Sequence, residues 1–211
     1  MPTREHVAPV LLEKVVDLIQ SKLDANSQPL VIELANQLFR NVSQADLQQR
    51  HEADLFGAVV SLWQHLHAQD PTQASVRVFN PSLRKDGWKS SHTVVEIVLP
   101  DTAFLVDSIK MTLTRYGMTS HFMANVPLKV AFNQTQPLKV TSIGQDKGQM
   151  HSIFHIEIDR LDDKAQMKSL EQELVSVLAD TQLVVSDWKP MVAQLNTVID
   201  DIQAKQASLP I

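Results

Sequence analysis

Apolar residues change their spacing at definite points along this chain. Between Val94 and Leu99 they alternate, with Val95, Ile97 and Leu99 on one side of a strand. Beyond it Leu105, Ile109 and Leu113 recur every four residues as one helix face, and Gly117 supplies a left-handed stop. Upstream, three amphipathic stretches fill residues 1 to 70. Leu12, Val15, Val16, Ile19 and Leu23 share a face of the first. Ser27 and Pro29 open a second that carries Val31, Leu34, Ala35 and Leu38. Ser43 followed by Asp46 opens a third, through Leu47, Leu55, Val59, Leu62 and Leu66 to Asp70-Pro71.

Strands are predicted at 75–80, 92–99, 118–130 and 150–159, and a helix at 103–116, in the order β-β-α-β-β-α. A C-terminal helix pair follows. Met167, Leu170, Leu174 and Val177 line one member, and Asp187 caps another that carries Met191, Leu195, Val198 and Ile202. Thr181 to Ser186 reads as a bend or a short edge strand. An amphipathic helix needs an apolar sheet face to cover, so the expected class is α+β. It comprises a three-helix lobe, a ferredoxin-like four-stranded sheet with helices on one face, and the helix pair. The expected units are 1–70, 75–180 and 181–211. The 75–80 strand either takes an edge position or lies elsewhere. Residues 133 to 149 form the one long connection, a length often associated with function.

Asp101 followed by Phe104-Leu-Val-Asp-Ser108, opening the helix after the strand, resembles the ACT-like repeat at the N-terminus of the large, NAD-specific bacterial glutamate dehydrogenases. Val76-Arg-Val-Phe-Asn-Pro81, Gly87-Trp88 and Asp187-Trp188-Lys-Pro-Met191 are also similar to that region, so the likeness spans 75 to 191. The resemblance implies an allosteric or assembly segment of an amino-acid catabolic oxidoreductase. The parent enzyme would convert L-glutamate to 2-oxoglutarate and ammonia with NAD, and its catalytic residues and cofactor site would lie downstream. This segment is then expected to hold no catalytic residue and no cofactor. Its partners would be later domains of the same polypeptide, a homo-oligomer and an amino-acid effector.

Composition narrows the other classes. With 44% hydrophobic and 20% charged residues in 211, the chain is long enough for a substantial core. A net charge of −5 argues against nonspecific nucleic-acid binding. The first seventy residues hold nine acidic against five basic side chains, so the outside of the lobe is acidic. The absence of cysteine excludes disulfides and thiolate metal sites and fits a cytoplasmic protein. No apolar run approaches the ~18 residues of a membrane span.

Strand parity places His92, Val94 and Glu96 on the sheet face away from Val95, and puts His121 and Met123 opposite Phe122. His151, His155 and Glu157 likewise oppose Phe154 and Ile156. His92, Val94, Glu96, His121 and His155 are therefore the interface candidates, on a face left open to solvent or a partner. Histidines titrating near ~6.5 would make association there pH-sensitive. A metal would need three or four ligands converging on one ion, which this spacing does not demand, and none is expected.

The turn Asp101, Thr102, Ala103, Phe104 precedes the helix N–H groups. In small-molecule-binding ACT domains a glycine usually stands where Ala103 does, letting backbone amides reach a ligand. The residues alone favour a capping role for Asp101 or Thr102. By the core stripe, Ser108 belongs at its border and Asp107 outside. Arg77, Arg84, Lys85 and Lys89 around Trp88 read as a solvated turn with a tryptophan over a core edge. No G-x-S-x-G, P-loop, H-E-x-x-H or G-x-G-x-x-G occurs. A stand-alone amino-acid sensor is the alternative reading.

Overall fold

Four helices precede the first strand in the structure, a computed structural model that describes residues 9–48, 50–67, 72–133, 140–145 and 148–207. They are α1 Pro9–Lys22, α2 Gln28–Phe39, α3 Gln44–Gln48 and α4 Glu52–His67. Asp24 closes the α1–α2 turn, its Oδ1 accepting from the Asn26 and Ser27 amides at 3.1 Å each, and Pro29 sits in the first turn of α2. Ser43 caps α3 as its pattern predicts, accepting from the Asp46 amide at 3.1 Å. The third predicted helix is nevertheless two: α3 ends at Gln48, Arg50 is not helical, and α4 starts at Glu52. The Asp70-Pro71 stop lies outside the described residues.

The remaining elements are β1 Ser75–Phe79, β2 Thr93–Pro100, α5 Leu105–Arg115, β3 Ser120–Phe132, β4 Val140–Ile143, β5 Gln149–Ile158 and α6 Lys164–Ala207. The sheet is antiparallel in the order β1-β2-β5-β3-β4. β2, β3 and β5 occupy the positions of the first three strands of a ferredoxin-like sheet. β1, which comes before them in sequence, fills the edge that a last strand would take. Gly117, at φ +69°, ends α5 by letting the Met118 amide reach the Leu113 carbonyl at 2.9 Å. The expected long connection contains a strand additional to the four predicted, β4; residues 134–139 and 146–147 lie outside the described residues.

The α+β, ACT-like class holds, with one correction of layering. Helices cover both sheet faces. α5 and α6 pack on Val95, Ile97, Leu99, Phe154 and Ile156 through Ile109, Leu113, Leu170 and Leu174. On the other face Val98, Phe122, Val126 and Ile153 join Val15, Ile19, Leu34, Leu38 and Leu62 of the N-terminal helices in a second core. That lobe carries a broad apolar face of its own, and the sheet's second face satisfies it.

The C-terminal helix pair is joined into one rod, α6, of 44 residues. Thr181 to Ser186 is helical, so neither a bend nor an edge strand forms there, and Asp187 lies inside the helix instead of capping one. Pro190 removes a single amide from the ladder without ending it.

Candidate regulatory site and buried charge layer

The turn ahead of α5 frames a hollow of about 200 Å³, lined in part by Asp101, Thr102, Phe104, Asp107, Asn125 and Ser152. Ala103 is exposed beside it and does not line it. Asp101 does not cap α5. The helix begins at Leu105, too far along the chain, and the Asp101 carboxylate instead accepts from the Ser152 hydroxyl of β5 at 2.5 Å. Its amide donates to the Met150 carbonyl at 2.9 Å. The N-cap position falls to Phe104, in the left-handed region at φ 68° with no side-chain cap and 68% exposed. An aromatic residue held at positive φ is strained. Ser108 lies at the border of the stripe, as its position predicts, its hydroxyl 3.0 Å from that of Thr181 on α6, and Asp107 is outside.

The interface candidates divide. Val94, Glu96 and His155 are buried under the chain's own α4, so they form an internal seam between lobe and sheet and not an open face. His92 and His121 stay at its rim, their rings 4.5 Å apart. The β3 parity is the reverse of the expected one. A bulge between Ser120 and Phe122 inserts His121 as an extra residue, which turns Phe122 toward the lobe and Met123 toward α5 and α6. His121 then bonds Asp159 at 2.6 Å.

Across the seam runs a layer of paired charges. Strand register sets Arg77 of β1 beside Glu96 of β2, and Glu96 beside His155 of β5. The Arg77 guanidinium donates to Glu96 Oε2 at 2.5 Å and to the Ser61 hydroxyl of α4 at 2.8 Å. His65 of α4 places Nδ1 3.6 Å from the same carboxylate and bonds Ser75 through Nε2 at 2.7 Å. Nearby, Arg50 grips Glu157 with both terminal nitrogens while stacking 4.1 Å over the Phe122 ring. His92 and His155 flank Glu157 at 3.3 and 3.7 Å. Arg50 falls within the stretch whose pattern predicts one helix, and His65-x-His67 near its end sets two imidazoles roughly 200° apart, a poor ligand geometry, so neither residue signals a buried carboxylate partner. Arg77 stands near Arg84, Lys85 and Lys89 in the sequence, a grouping that predicts a solvated turn and not a buried pair.

Burial alone would raise both carboxyls. For Glu96 this is outweighed by the neighbouring His65 imidazole and the Arg77 charge, which hold it below the ordinary carboxylate range. For Glu157 burial is outweighed by the His155 ring at 3.7 Å and by the hydrogen bonds and charge of Arg50, which hold it at about 2 against an ordinary 4.5. A depressed carboxyl contributes stability that is complete above its unfolded value and fades as pH falls through its folded one. Glu157 should therefore account for about 2–3 kcal/mol lost between roughly pH 5 and 2. Urea melts should show the Glu157→Gln variant losing less stability than wild type over that range. Equal acid sensitivity would contradict the pairing.

Between α3, α4 and the sheet opens a cavity of about 520 Å³, reached by Arg50, Trp88, Lys89, His92, His155 and Glu157. Among the described residues no group of three or more His, Asp or Glu is placed to hold a metal, and no helix is long and apolar enough to cross a membrane.

A sheet of this order, with a hollow at the turn after its first central strand, defines an ACT-like α+β domain. The family described as "Glutamate dehydrogenase, ACT1 domain" matches residues 34–174. The chain is 33% identical over 197 residues to the NAD-specific glutamate dehydrogenase of Halomonas elongata, covering 92% of this chain and 12% of that protein. It is 35% identical over 186 residues to the NAD-specific glutamate dehydrogenase of Pseudomonas aeruginosa, covering 86% of this chain and 11% of that one. The chain belongs to the glutamate dehydrogenase ACT1 family and spans about an eighth of the length of these curated relatives.

Proposed function

We propose that this chain is a non-catalytic regulatory and assembly segment of a large, cytoplasmic, homo-oligomeric NAD-dependent glutamate dehydrogenase. The parent reaction would be oxidative deamination of L-glutamate to 2-oxoglutarate and ammonia, with NAD bound in a later part of the polypeptide. The observation that carries this reading is the match of an ACT-like domain to about an eighth of two NAD-specific enzymes. The charge layer supports it, because Arg50 pairs with Glu157 between lobe and sheet, and the Arg77–Glu96 pair within the sheet is bonded to Ser61 of α4 through Arg77. Such a seam can bias the rest of an enzyme if its two sides have more than one arrangement. Residues 1 to 211 alone should give no glutamate-dependent NADH absorbance. Turnover that copurifies with the chain through successive columns and is retained after refolding would sink the proposal.

The hollow at 101–107 favours a second reading, a stand-alone amino-acid sensor. Its ligand would displace solvent beside Asp101 and Phe104. A thermal-shift panel of the twenty amino acids separates the two: a saturable rise in Tm abolished by Asp101→Ala supports the sensor, and a flat panel counts against it.

A further inference from the structure

The apolar face that α6 presses against the sheet continues past the end of the sheet, in the same register, with none of the described residues covering it. Leu170, Leu174 and Leu178 are fully buried. One or two turns on, the same columns carry Val184, Trp188, Met191, Leu195, Val198 and Ile202, all exposed and spaced alternately by four and three residues. A third column, with Val192 and Ile199, widens the stripe beyond a two-stranded seam to the breadth of a bundle face. The α5 turn extends it further. α5 and α6 run antiparallel, with Ser108 against Thr181 and Arg115 against Glu173. The strained, exposed Phe104, one turn before Ser108, therefore stands level with Val184, one turn after Thr181.

Charge along this face selects its occupant. Asp180, Asp187, Gln194 and Asp201 recur every seven residues as one row beside the apolar stripe, and all are exposed. Lys189 and Lys205 fall outside the row. A second copy fits poorly in either direction. Antiparallel pairing sets Asp187 against Asp201 of the other copy, and parallel pairing presses the acidic row on Val192 and Ile199. An anionic membrane surface is repelled by the same row, since helices that lie on membranes border their apolar face with Lys and Arg.

We propose that residues 184–202 of α6, together with Phe104, form a docking face for an amphipathic helix whose border carries Lys or Arg. This rests on the assembly reading above and names the surface that reading requires. The probe is a fluorescein-labelled synthetic helix of about four heptads, leucine in both core columns and lysine in the bordering ones, with a glutamate-bordered twin as control. The lysine peptide should bind residues 1 to 211 saturably and at least about tenfold more tightly than its twin, and the Asp187→Lys/Asp201→Lys variant should reverse that preference. Leu195→Glu should abolish binding while circular dichroism shows the body still folded, since Leu195 lies outside both cores.

Equal binding of the two peptides, or none by either, overturns the proposal. So does self-association in sedimentation, or partition onto phosphatidylglycerol vesicles, that Leu195→Glu removes. Absent peptide binding leaves the non-catalytic reading standing, whereas glutamate-dependent NADH formation removes that reading without altering the peptide result.

Discussion

Glu96→Gln is expected to lower the unfolding free energy by about 3 kcal/mol, at the low end of the range for breaking a buried ion pair because Arg77 keeps some contact with water. The carboxylate is fully buried between two strands and α4, and it is the counter-charge to Arg77, with His65 beside it. Glutamine preserves the shape and leaves the guanidinium without an anion. Removing both members should cost much less, since a pair of apolar side chains needs no solvation. Arg77→Met/Glu96→Leu should therefore lie closer to wild type than Glu96→Gln does. Urea denaturation at pH 7 measures both. A Glu96→Gln midpoint within error of wild type would mean that the carboxylate is not holding lobe and sheet together. Hydrogen exchange adds the location: amides of α4 should open first in the variant, because Ser61 and His65 are its contributions to the layer.

What was legible in the sequence is what a single periodicity can report. Val95, Ile97 and Leu99 against Leu105, Ile109 and Leu113 gave the strand, the helix and their mutual burial, and Gly117 gave the end of that helix. The second helical layer was not legible, because a face bearing His, Glu and Arg reads as wet unless the pairing between them is known. Seven of the eight residues of β2 are in fact buried, polar ones included. Pairing is a long-range property: Arg50 finds Glu157 across 107 residues of chain. The bulge at His121 shows a different failure. One inserted residue reverses every later side chain of β3, and no residue type announces it. Of the ligand-turn residues, Asp101, Thr102 and Phe104 do meet at one hollow. That the helix starts after Phe104, freeing Asp101 for Ser152, depends on backbone strain that composition does not encode.

Gly57→Ala should destabilise the protein by about 2 kcal/mol or more, although helix propensity alone predicts a gain of about 1 kcal/mol. Gly57 lies inside α4, where the missing side chain lets Trp88 lie directly on the helix backbone. A Cβ there would stand 2.3 Å from both Cβ and Cγ of Trp88. Those atoms sit next to the main chain and cannot swing away as a side-chain tip can, so either α4 or the Gly87–Trp88 turn must move. Trp88 is 2% exposed and packs with Ala58, Val94 and Phe79, so neither shift is free. Trp88→Ala alone should cost about 3–5 kcal/mol. Alanine at position 88 keeps the Cβ that clashes, so the partner substitution for the cycle is Trp88→Gly: combined with Gly57→Ala it frees the space for the new methyl, and the combined loss should fall short of the sum of the two single losses by more than about 1 kcal/mol. Additive losses, or a more stable Gly57→Ala, would show that α4 does not rest on Trp88. Since Trp88 lines both the cavity at the Arg50–Glu157 pair and a second one beside Arg77 and Ser61, the displaced helix should also loosen the Arg77 and Arg50 pairs together. The single variant should then become less sensitive to acid than wild type, because part of the pairing that protonation destroys is already lost.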